Sequence, residues 1–317
     1  MKDFDLPFSA GRFLRRQFMR SILSLLNTGR ILVSDGAWGT QLHERGLKAG
    51  ECPELWNITR PADVFSVAES YVRAGADMIL TNSFGGSPSK LAHYGLQDRV
   101  AEINEAAAAI SRKAAKNTCL VLGSIGPTGV ILRMKKVSAQ TLYDGFVVQA
   151  KALEDGGADA ICIETMSALD EAEIAIKAAR EATNCEIICT FTFEKTAAGE
   201  YRTMMGVTPA AMVRTVKKAG ANIIGTNCGN GIDGMIDLVR EIRKEDQATP
   251  LLVHANAGKP LFKDGVTTFP ETPEVMAAKA GELIRAGANI IGGCCGTTPE
   301  HIRALVNAVN AQRSTGL

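Results

Sequence analysis

A four-residue motif occurs four times in this chain and constrains its fold more than any other feature. The copies join small residues to a final Asp or Asn, and they are Ala74-Gly75-Ala76-Asp77, Gly156-Gly157-Ala158-Asp159, Ala219-Gly220-Ala221-Asn222 and Ala286-Gly287-Ala288-Asn289. Each copy follows a segment with helical periodicity and precedes a short apolar run. Because glycine suits the left-handed residue that ends a helix, each copy predicts a helix end and a tight turn into a strand.

Four further apolar runs lie between those that follow the motif. The eight predicted strands are Ile31–Ser34, Met78–Asn82, Cys119–Ser124, Ala160–Glu164, Glu186–Phe191, Ile223–Asn227, Leu251–Asn256 and Ile290–Gly293. Nearly continuous apolar runs are typical of parallel strands that are buried on both faces. Helical segments alternate with them, so the sequence predicts an α/β fold, a single (β/α)8 TIM barrel over residues 30–317. A doubly wound sheet is the alternative, but the first strand ends without the GxGxxG loop that such sheets usually carry.

Residues 1–29 are predicted to form an N-terminal helical extension. Basic and apolar positions alternate at helical spacing over residues 13–26, which favours an amphipathic helix packed against the barrel. A targeting peptide is the alternative, but the apolar stretch is short and no small-residue cleavage site follows it.

Composition excludes several classes of partner. The formal net charge is +1 and no basic patch with interleaved aromatic residues occurs, so we expect no nucleic-acid partner. No apolar run reaches the roughly 18 residues that a membrane span needs. The eight cysteines show no regular spacing, which in a chain with a large core favours a reducing compartment over a disulfide scaffold. We therefore expect a cytoplasmic protein.

The block Gly292–Pro299 contains two adjacent cysteines, Cys294 and Cys295. Neighbouring cysteines rarely form a disulfide with each other, while the flanking glycines allow both sulfurs to face one point. One further thiolate would complete a three-sulfur zinc site with an open fourth position, the pattern of a catalytic zinc. In a barrel the carboxyl ends of all strands meet at one rim, and the sixth predicted strand leads into Cys228. Two buried apolar cysteines are the alternative interpretation of the pair.

Several motifs occur at the predicted strand ends. In order, they are Asp35-Gly36-Ala37-Trp38-Gly39-Thr40, Thr81-Asn82-Ser83-Phe84-Gly85-Gly86, Gly126-Pro127-Thr128-Gly129, Glu164-Thr165, Thr226-Asn227-Cys228, Asn256-Ala257-Gly258-Lys259-Pro260 and Gly292-Gly293-Cys294-Cys295-Gly296-Thr297-Thr298-Pro299. Together these motifs resemble those of the homocysteine S-methyltransferase family. The resemblance is strongest to the homocysteine-binding domain of cobalamin-dependent methionine synthase, and it spans about residues 30 to 312.

The resemblance implies a zinc ion held by Cys228, Cys294 and Cys295, with the sulfur of homocysteine in the fourth position. It also implies that the oxygen of Asn256 fills that position when substrate is absent. A free thiol titrates near pH 8.5, and coordination to zinc deprotonates it. We therefore expect a methyltransferase that activates homocysteine as a zinc thiolate and methylates it to methionine.

The resemblance assigns the remainder of the substrate site to the ends of the first, second and fourth predicted strands. Asp35 and Glu164 are expected to bind the substrate ammonium group, and the backbone amides of Gly36 and Ala37 its carboxylate, with Asn82 in the same site. Two carboxylates facing an ammonium group would form charge-assisted hydrogen bonds. The alternatives are that Asp35 only caps the barrel rim and that Glu164 belongs to an internal ion pair.

The acceptor is better defined by the sequence than the methyl donor. Gly296 followed by Thr-Thr-Pro is similar to the methionine-synthase type, and the chain ends after the last predicted helix. We expect a stand-alone module that takes its methyl group from a separate methylcorrinoid protein. A free donor (S-methylmethionine, S-adenosylmethionine or betaine) is the alternative. More remote alternatives are a non-catalytic zinc barrel and a hydrolase with Glu164 as its base.

Two other features remain ambiguous in the sequence. His254 lies two residues before Asn256 on the seventh predicted strand, and a packed histidine is favoured over a ligand. The basic run over residues 133–136 follows the third strand on the predicted catalytic rim. Such a run is usually solvated, and the alternative is a docking site for an acidic partner.

Overall fold

The computed structural model describes residues 21–263 and 266–314, and it confirms the (β/α)8 barrel. The barrel strands are β1 (Leu32–Val33), β2 (Met78–Leu80), β3 (Leu120–Ile125), β4 (Ala160–Met166), β5 (Glu186–Phe191), β6 (Ile223–Asn227), β7 (Leu251–Ala255) and β8 (Ile290–Gly293). The outer helices that follow them in turn are α1 (Pro61–Ala74), α2 (Val100–Ala115), α3 (Ala139–Gly156), α4 (Leu169–Ala182), α5 (Pro209–Ala219), α6 (Ile232–Glu245), α7 (Pro273–Ala286) and α8 (Pro299–Ser314). All eight predicted strands are therefore present, each within a few residues of its predicted bounds.

The sheet closes on itself. All strand pairs are parallel, the order around the sheet is β1-β8-β7-β6-β5-β4-β3-β2, and a parallel bridge between Ser34 and Met78 joins the two ends. Apolar side chains fill the interior of the barrel, among them Leu80, Leu122 and Ile188. A second, larger apolar cluster lies between the strands and the outer helices. The strands are thus buried on both faces, which explains their unbroken apolar runs.

The repeated motif ends helices as predicted, and its last residue has a further role. Its glycines, Gly75, Gly157, Gly220 and Gly287, have φ angles of 96°, 110°, 104° and 121°. The final side chain accepts a hydrogen bond from a backbone N–H at the start of the preceding strand. The pairs are Val33 to Asp77 (2.9 Å), Val121 to Asp159 (2.8 Å), Ile187 to Asn222 (2.8 Å) and Leu251 to Asn289 (2.9 Å). We call these four pairs the Asx clamps; they join each odd strand to the next even one, which explains four copies in an eight-stranded barrel.

A short helix closes the end of the barrel at which the strands begin. It spans Ile22–Leu26, and the Ser21 hydroxyl caps it by accepting a hydrogen bond from the backbone of Ser24. The Ile22 side chain is fully buried among the interior residues of the barrel. The Glu186 carboxylate accepts hydrogen bonds from the Ser21 hydroxyl and the Ile22 amide (2.5 and 2.7 Å). The helix was predicted from residue 13; residues 13–20 lie outside the described part of the chain, and within that part helix begins only at Ile22.

Additional structure is concentrated in the loops that follow the strands. Short helices occur at Trp38–Glu44, Trp56–Thr59 and Pro88–Leu91, and single 3-10 turns at Pro53–Leu55, Ala92–Tyr94, Gln97–Arg99 and Leu132–Met134. Two antiparallel hairpins, which the sequence analysis did not predict, pair Glu194–Lys195 with Tyr201–Arg202 and Leu261–Lys263 with Val266–Thr268. Among the described residues, no helix combines the length and the apolar character that crossing a membrane requires.

Candidate functional site

Three thiols meet at the rim where the barrel strands end. Cys228 directly follows β6, and Cys294 and Cys295 directly follow β8. Their Sγ atoms all lie within 4.8 Å of one another, and those of Cys228 and Cys295 are 3.8 Å apart. Cys228 has a left-handed backbone (φ 62°), and Gly296, with φ 78°, turns the chain away after the cysteine pair. The barrel thus brings together residues that are far apart in sequence.

The sulfurs of Cys228 and Cys295 have the separation that two ligands of a tetrahedral zinc ion have, and that of Cys294 lies within 4.8 Å of both. Zinc–sulfur bonds of about 2.3 Å at the tetrahedral angle place two sulfurs about 3.8 Å apart. The Oδ1 atom of Asn256, at the end of β7, is buried and has no hydrogen-bond partner among the described residues. A buried acceptor without a donor is costly and marks a place for a cation or another ligand. Three thiolates fit a zinc ion, and the side chain of Asn256 lies beside Cys228, whose pKa its hydrogen bond helps to lower. Within residues 21–263 and 266–314 this is the one group of three or more His, Cys, Asp or Glu side chains close enough to share a metal ion.

The electrostatics of the cluster favour one thiolate even in the absence of metal. Hydrogen bonds from the thiols of Cys294 and Cys295 lower the pKa of Cys228. The same bonds to Cys228 raise the pKa of Cys294, and that of Cys295 is raised chiefly for the same reason. The other five cysteines are buried, and burial is the main factor that raises the pKa of each of them; they are Cys52, Cys119, Cys162, Cys185 and Cys189.

Two buried carboxyl groups lie near the cluster. Burial raises the pKa of Asp35 to about 7 and that of Glu164 to about 7, and the charge of Asp35 contributes to the rise at Glu164. Ser124 donates a hydrogen bond of 2.5 Å to Glu164. Among the described residues no Lys, Arg or His nitrogen lies within 4.0 Å of either carboxylate. Within this part of the chain Glu164 therefore forms no ion pair, and neither acid has a cationic protein partner there.

Asp35 also has the capping role that the sequence left open. Its Oδ2 accepts hydrogen bonds from the Trp38 indole and the Leu80 amide, both 2.8 Å long. Its Oδ1 accepts one from Ser34 at 3.2 Å. These hydrogen bonds to a fully buried carboxyl group order the loop after β1, whether or not Asp35 also contacts a ligand.

The loop after Asp35 is attached to the cysteine block through Thr297. The amide of Ala37 donates to the Thr297 hydroxyl (3.1 Å), which donates in turn to the carbonyl of Cys294 (2.7 Å). A Cβ atom at Gly36 would lie 2.6 Å from the same hydroxyl, and one at Gly293 would lie 2.2 Å from it. A larger residue than glycine would therefore collide with Thr297 at position 36 and at position 293. Because the Ala37 amide already donates to Thr297, a substrate carboxylate would have to displace this hydroxyl.

Asn82 and His254 lie in more conventional surroundings. The Nδ2 atom of Asn82 donates to the carbonyl of Pro53 (2.8 Å) and to Asn57 (3.0 Å), so only its oxygen is left for a ligand. His254 is buried in the barrel, its Nε2 has no hydrogen-bond partner among the described residues, and burial lowers its pKa to about 4. His254 is therefore a neutral, packed side chain, as the sequence favoured.

Two residues that sequence reasoning did not single out connect these groups. Asn227 is fully buried, and its Nδ2 lies 3.5 Å from Glu164 Oε2 and 3.9 Å from Cys294 Sγ. Thr297 joins the first rim loop to the last. Asn227 is next to Cys228 and Thr297 is close in sequence to Cys295, and the chemistry of these cysteines is evident from the sequence. The only signal that could have identified Asn227 is that it is a polar residue at the end of a buried strand.

Comparison with known proteins agrees with this geometry. The family model described as homocysteine S-methyltransferase matches residues 32–309. The chain is 32% identical over 300 residues to the methionine synthases of Mycobacterium leprae and Mycobacterium tuberculosis. These matches cover 88% of this chain but 24% and 25% of those proteins, so the chain spans about a quarter of their length.

Solved structures share the fold over nearly the whole chain. The metallated form of the homocysteine methyltransferase MmuM from Escherichia coli superposes with a TM-score of 0.71 at 25% identity, covering 89% of this chain and 97% of that one. A methyltransferase from Methanosarcina mazei gives a TM-score of 0.56 at 12% identity over 90% of this chain and 94% of that one, which supports the fold alone.

Proposed function

The chain belongs to the homocysteine S-methyltransferase family, and we propose that it transfers a methyl group to the sulfur of homocysteine with the help of zinc. The observation that carries the proposal is the proximity of two unlike subsites. One is a cluster of three thiols with sulfur separations suited to zinc. The other contains two buried carboxyl groups without a protein cation. An amino acid with a side-chain thiol complements both.

Cys228, Cys294 and Cys295 would hold the metal, and Asn256 Oδ1 would supply a fourth donor until a substrate thiol takes that position. When bound, zinc lowers the pKa of a thiol in its open position and so makes that sulfur nucleophilic at neutral pH. Zinc is favoured over harder cations because thiolates are soft ligands. The protein's own contribution is to orient the acceptor sulfur toward the methyl donor.

Asp35 and Glu164 would bind the ammonium group of the acceptor. Their pKa values of about 7 leave them partly protonated at neutral pH. A cation beside them favours the charged forms, so that each carboxylate accepts a charge-assisted hydrogen bond. The amides of Gly36 and Ala37 would receive the substrate carboxylate once Thr297 gives up the Ala37 amide. Asn82 would contribute through its oxygen.

The surface around the site favours a protein as the carrier of the methyl group. Most of the large exposed apolar side chains lie in loops that follow strands, and we call the following set the apolar rim: Phe84, Ile131, Met134, Met204, Met205, Leu261 and Phe262. Arg133, Lys135 and Lys136 are exposed beside it and form no ion pair with another described residue. Exposed apolar groups with unpaired cations suit a partner with an apolar, acidic face. A methylcorrinoid protein is therefore the donor we propose, in agreement with the relatives named methionine synthase.

Substitution of one thiol tests the metal-dependent part of the proposal. We expect Cys294→Ser to lose zinc and homocysteine binding, and methionine formation to fall by more than about 100-fold. Cys185→Ser is the matched control, since Cys185 is buried among the outer helices and strands, and it should keep both properties. Zinc content and isothermal titration with homocysteine are the measurements. A wild-type protein without zinc, or a Cys294→Ser variant that binds homocysteine normally, contradicts the proposal.

The donor is tested by a panel of methyl compounds. Methionine formation is measured with methylcobalamin, S-methylmethionine, S-adenosylmethionine and betaine at equal concentrations. We expect activity with methylcobalamin, because the free cofactor can reach an open rim without its protein. If methionine forms with betaine or a sulfonium donor and not with methylcobalamin, the donor is a free small molecule and the proposal of a corrinoid protein is wrong.

A further inference from the structure

Two residues beside the site have an unusual backbone. Thr165 and Cys228 both have φ angles of 62°, in the left-handed region that non-glycine residues seldom occupy. Thr165 is also β-branched, which makes this conformation less favourable still. It follows Glu164 directly, and the pairing of β4 with β5 is irregular between Ile163 and Met166. Such strain persists only where the surrounding structure enforces it.

The carboxamide of Asn227 enforces the conformation of Thr165. Its Oδ1 accepts hydrogen bonds from the Thr165 amide (2.9 Å) and the Thr190 hydroxyl (2.7 Å). Its Nδ2 donates to the Thr165 hydroxyl at 2.7 Å. The oxygen and the nitrogen of the Asn227 carboxamide therefore both hold Thr165 in place. Because Thr165 follows Glu164 directly, these contacts also fix the direction in which the Glu164 side chain leaves the strand.

The same Nδ2 atom faces both subsites. It lies 3.5 Å from Glu164 Oε2 and 3.9 Å from Cys294 Sγ, and Asn227 itself precedes Cys228. One of its two hydrogens is used by Thr165, which leaves one for the carboxylate or the thiol. A fully buried amide thus spans the gap between the group expected to bind the ammonium and the group expected to hold the metal.

We propose that Asn227 is a positioning residue that fixes the separation between Glu164 and the thiol cluster, and so sets the chain length of the amino-acid thiol that the site accepts. The inference rests on the proposed function. Homocysteine has one methylene more than cysteine between its ammonium group and its sulfur. Two anchors held at a fixed distance admit one of these thiols and misplace the other, and misplacement by about 1 Å can cost about 100-fold in rate.

The test compares Asn227→Ser with Asn230→Ser. Asn230 is another buried amide, in the loop that follows β6, and its side chain donates to the carbonyl of Phe193 and to neither subsite. Cobalt is substituted for the native metal, and thiol binding is followed by the sulfur-to-cobalt charge-transfer band. The ligands are homocysteine, cysteine and propanethiol, which has no ammonium group. Metal affinity is measured separately by competition with a chelator.

In Asn227→Ser we expect homocysteine to bind at least about tenfold more weakly, with the preference for homocysteine over cysteine reduced by a similar factor. Propanethiol binding and metal affinity should change less than about threefold, because the thiol cluster stays assembled. Asn230→Ser should behave as wild type in all four measurements. Steady-state kinetics should show the loss mainly in KM for homocysteine.

Equal weakening of homocysteine and propanethiol would overturn the inference, since Asn227 would then act on the metal site alone. An unchanged ratio of homocysteine to cysteine binding would overturn it as well. If Asn227→Ser does not fold, Thr165→Ala removes one of the two contacts while keeping the strand, and should lower the same ratio by a smaller factor. If homocysteine gives no charge-transfer band with the wild-type protein, the proposed function itself fails, which a loss confined to the variant would not imply.

Discussion

The two ends of the barrel are built in opposite ways. At the end where the strands begin, the Asx clamps satisfy backbone groups in four equivalent places, and charged partners support several of them, as Arg112 does for Asp159. At the end where the strands finish, Thr165 and Cys228 beside the thiol cluster have left-handed backbones. Among the described residues, Asp35 and Glu164 have no cation within 4.0 Å and Asn256 Oδ1 has no hydrogen-bond partner. The same hydrogen-bonded arrangement occurs four times where the strands begin, whereas the strands finish in arrangements that differ from one another.

This difference separates stability from function within one fold. Saturated hydrogen bonds, and the buried Ile22 of the short helix that closes the barrel, lower the free energy of the native state. Unpaired acids and strained residues raise it, and they are useful only where a ligand completes them. Substitutions at the first end should therefore reduce stability without altering the chemistry. Substitutions at the second should impair binding while leaving stability unchanged or even increasing it.

The largest effect on stability is expected from the buried side chain of Ile22 in the short helix Ile22–Leu26. Ile22→Ala removes a fully buried side chain from the mouth of the barrel and should lower the free energy of unfolding by about 2–5 kcal/mol. Ile22→Val should cost about 0.5–1.5 kcal/mol, and Ser24→Ala, at an exposed position of the same helix, close to nothing. Denaturant titration gives these values, and homocysteine affinity at low temperature gives the control. An altered affinity in Ile22→Ala would contradict the separation of the two ends.

The sequence predicted the fold almost completely because the barrel is determined by many local signals that agree. Apolar runs, helical periodicity and the repeated glycines each identify an element within a few residues. Placing Cys228 with Cys294 and Cys295 then needed only the rule that parallel strands end at the same rim.

What the sequence did not reveal depends on the directions of individual side chains. Nothing in the order of residues shows that Thr297 takes the amide of Ala37, or that Asn82 uses both amide hydrogens within the protein. The role of Asn227 rests on a left-handed Thr165, which no propensity would suggest. The two hairpins on the rim were missed because their strands are only two or three residues long.

A smaller effect is expected from the Asx clamps. Asp159→Ala leaves the Val121 amide buried without an acceptor, at a cost of about 1–3 kcal/mol. Asp159→Asn should cost less, because Asn222 and Asn289 accept the equivalent hydrogen bonds in the same chain. Thermal and denaturant unfolding of both variants provide the measurement. Equal losses in the two variants would show that the ion pair with Arg112, and not the clamp, is what stabilises this corner.

The smallest effect, and the one with the opposite sign, is expected from Asp35→Asn in the metal-free protein. The native pKa of Asp35 is about 7, and the unfolded value is near 3.8. Between these values the native state holds a proton that the unfolded state has lost, so the free energy of unfolding falls as pH rises from about 4 to 7. Above pH 7 both states are ionised and the penalty of a buried charge is fully present.

Asparagine removes this penalty while its Oδ1 can still accept from Trp38 and Leu80. Because hydrogen bonds to an amide are weaker than those to a carboxylate, the net gain at pH 8 should be on the order of 1 kcal/mol, and it should vanish near pH 4. Asp98→Asn, at an exposed position, is the control for the change of charge and should show no such dependence. Urea titrations at pH 4, 6 and 8 measure the difference. A variant less stable than wild type at pH 8 would mean that Asp35 stabilises the rim as a charged cap, and the contrast between the two ends would then not extend to this residue.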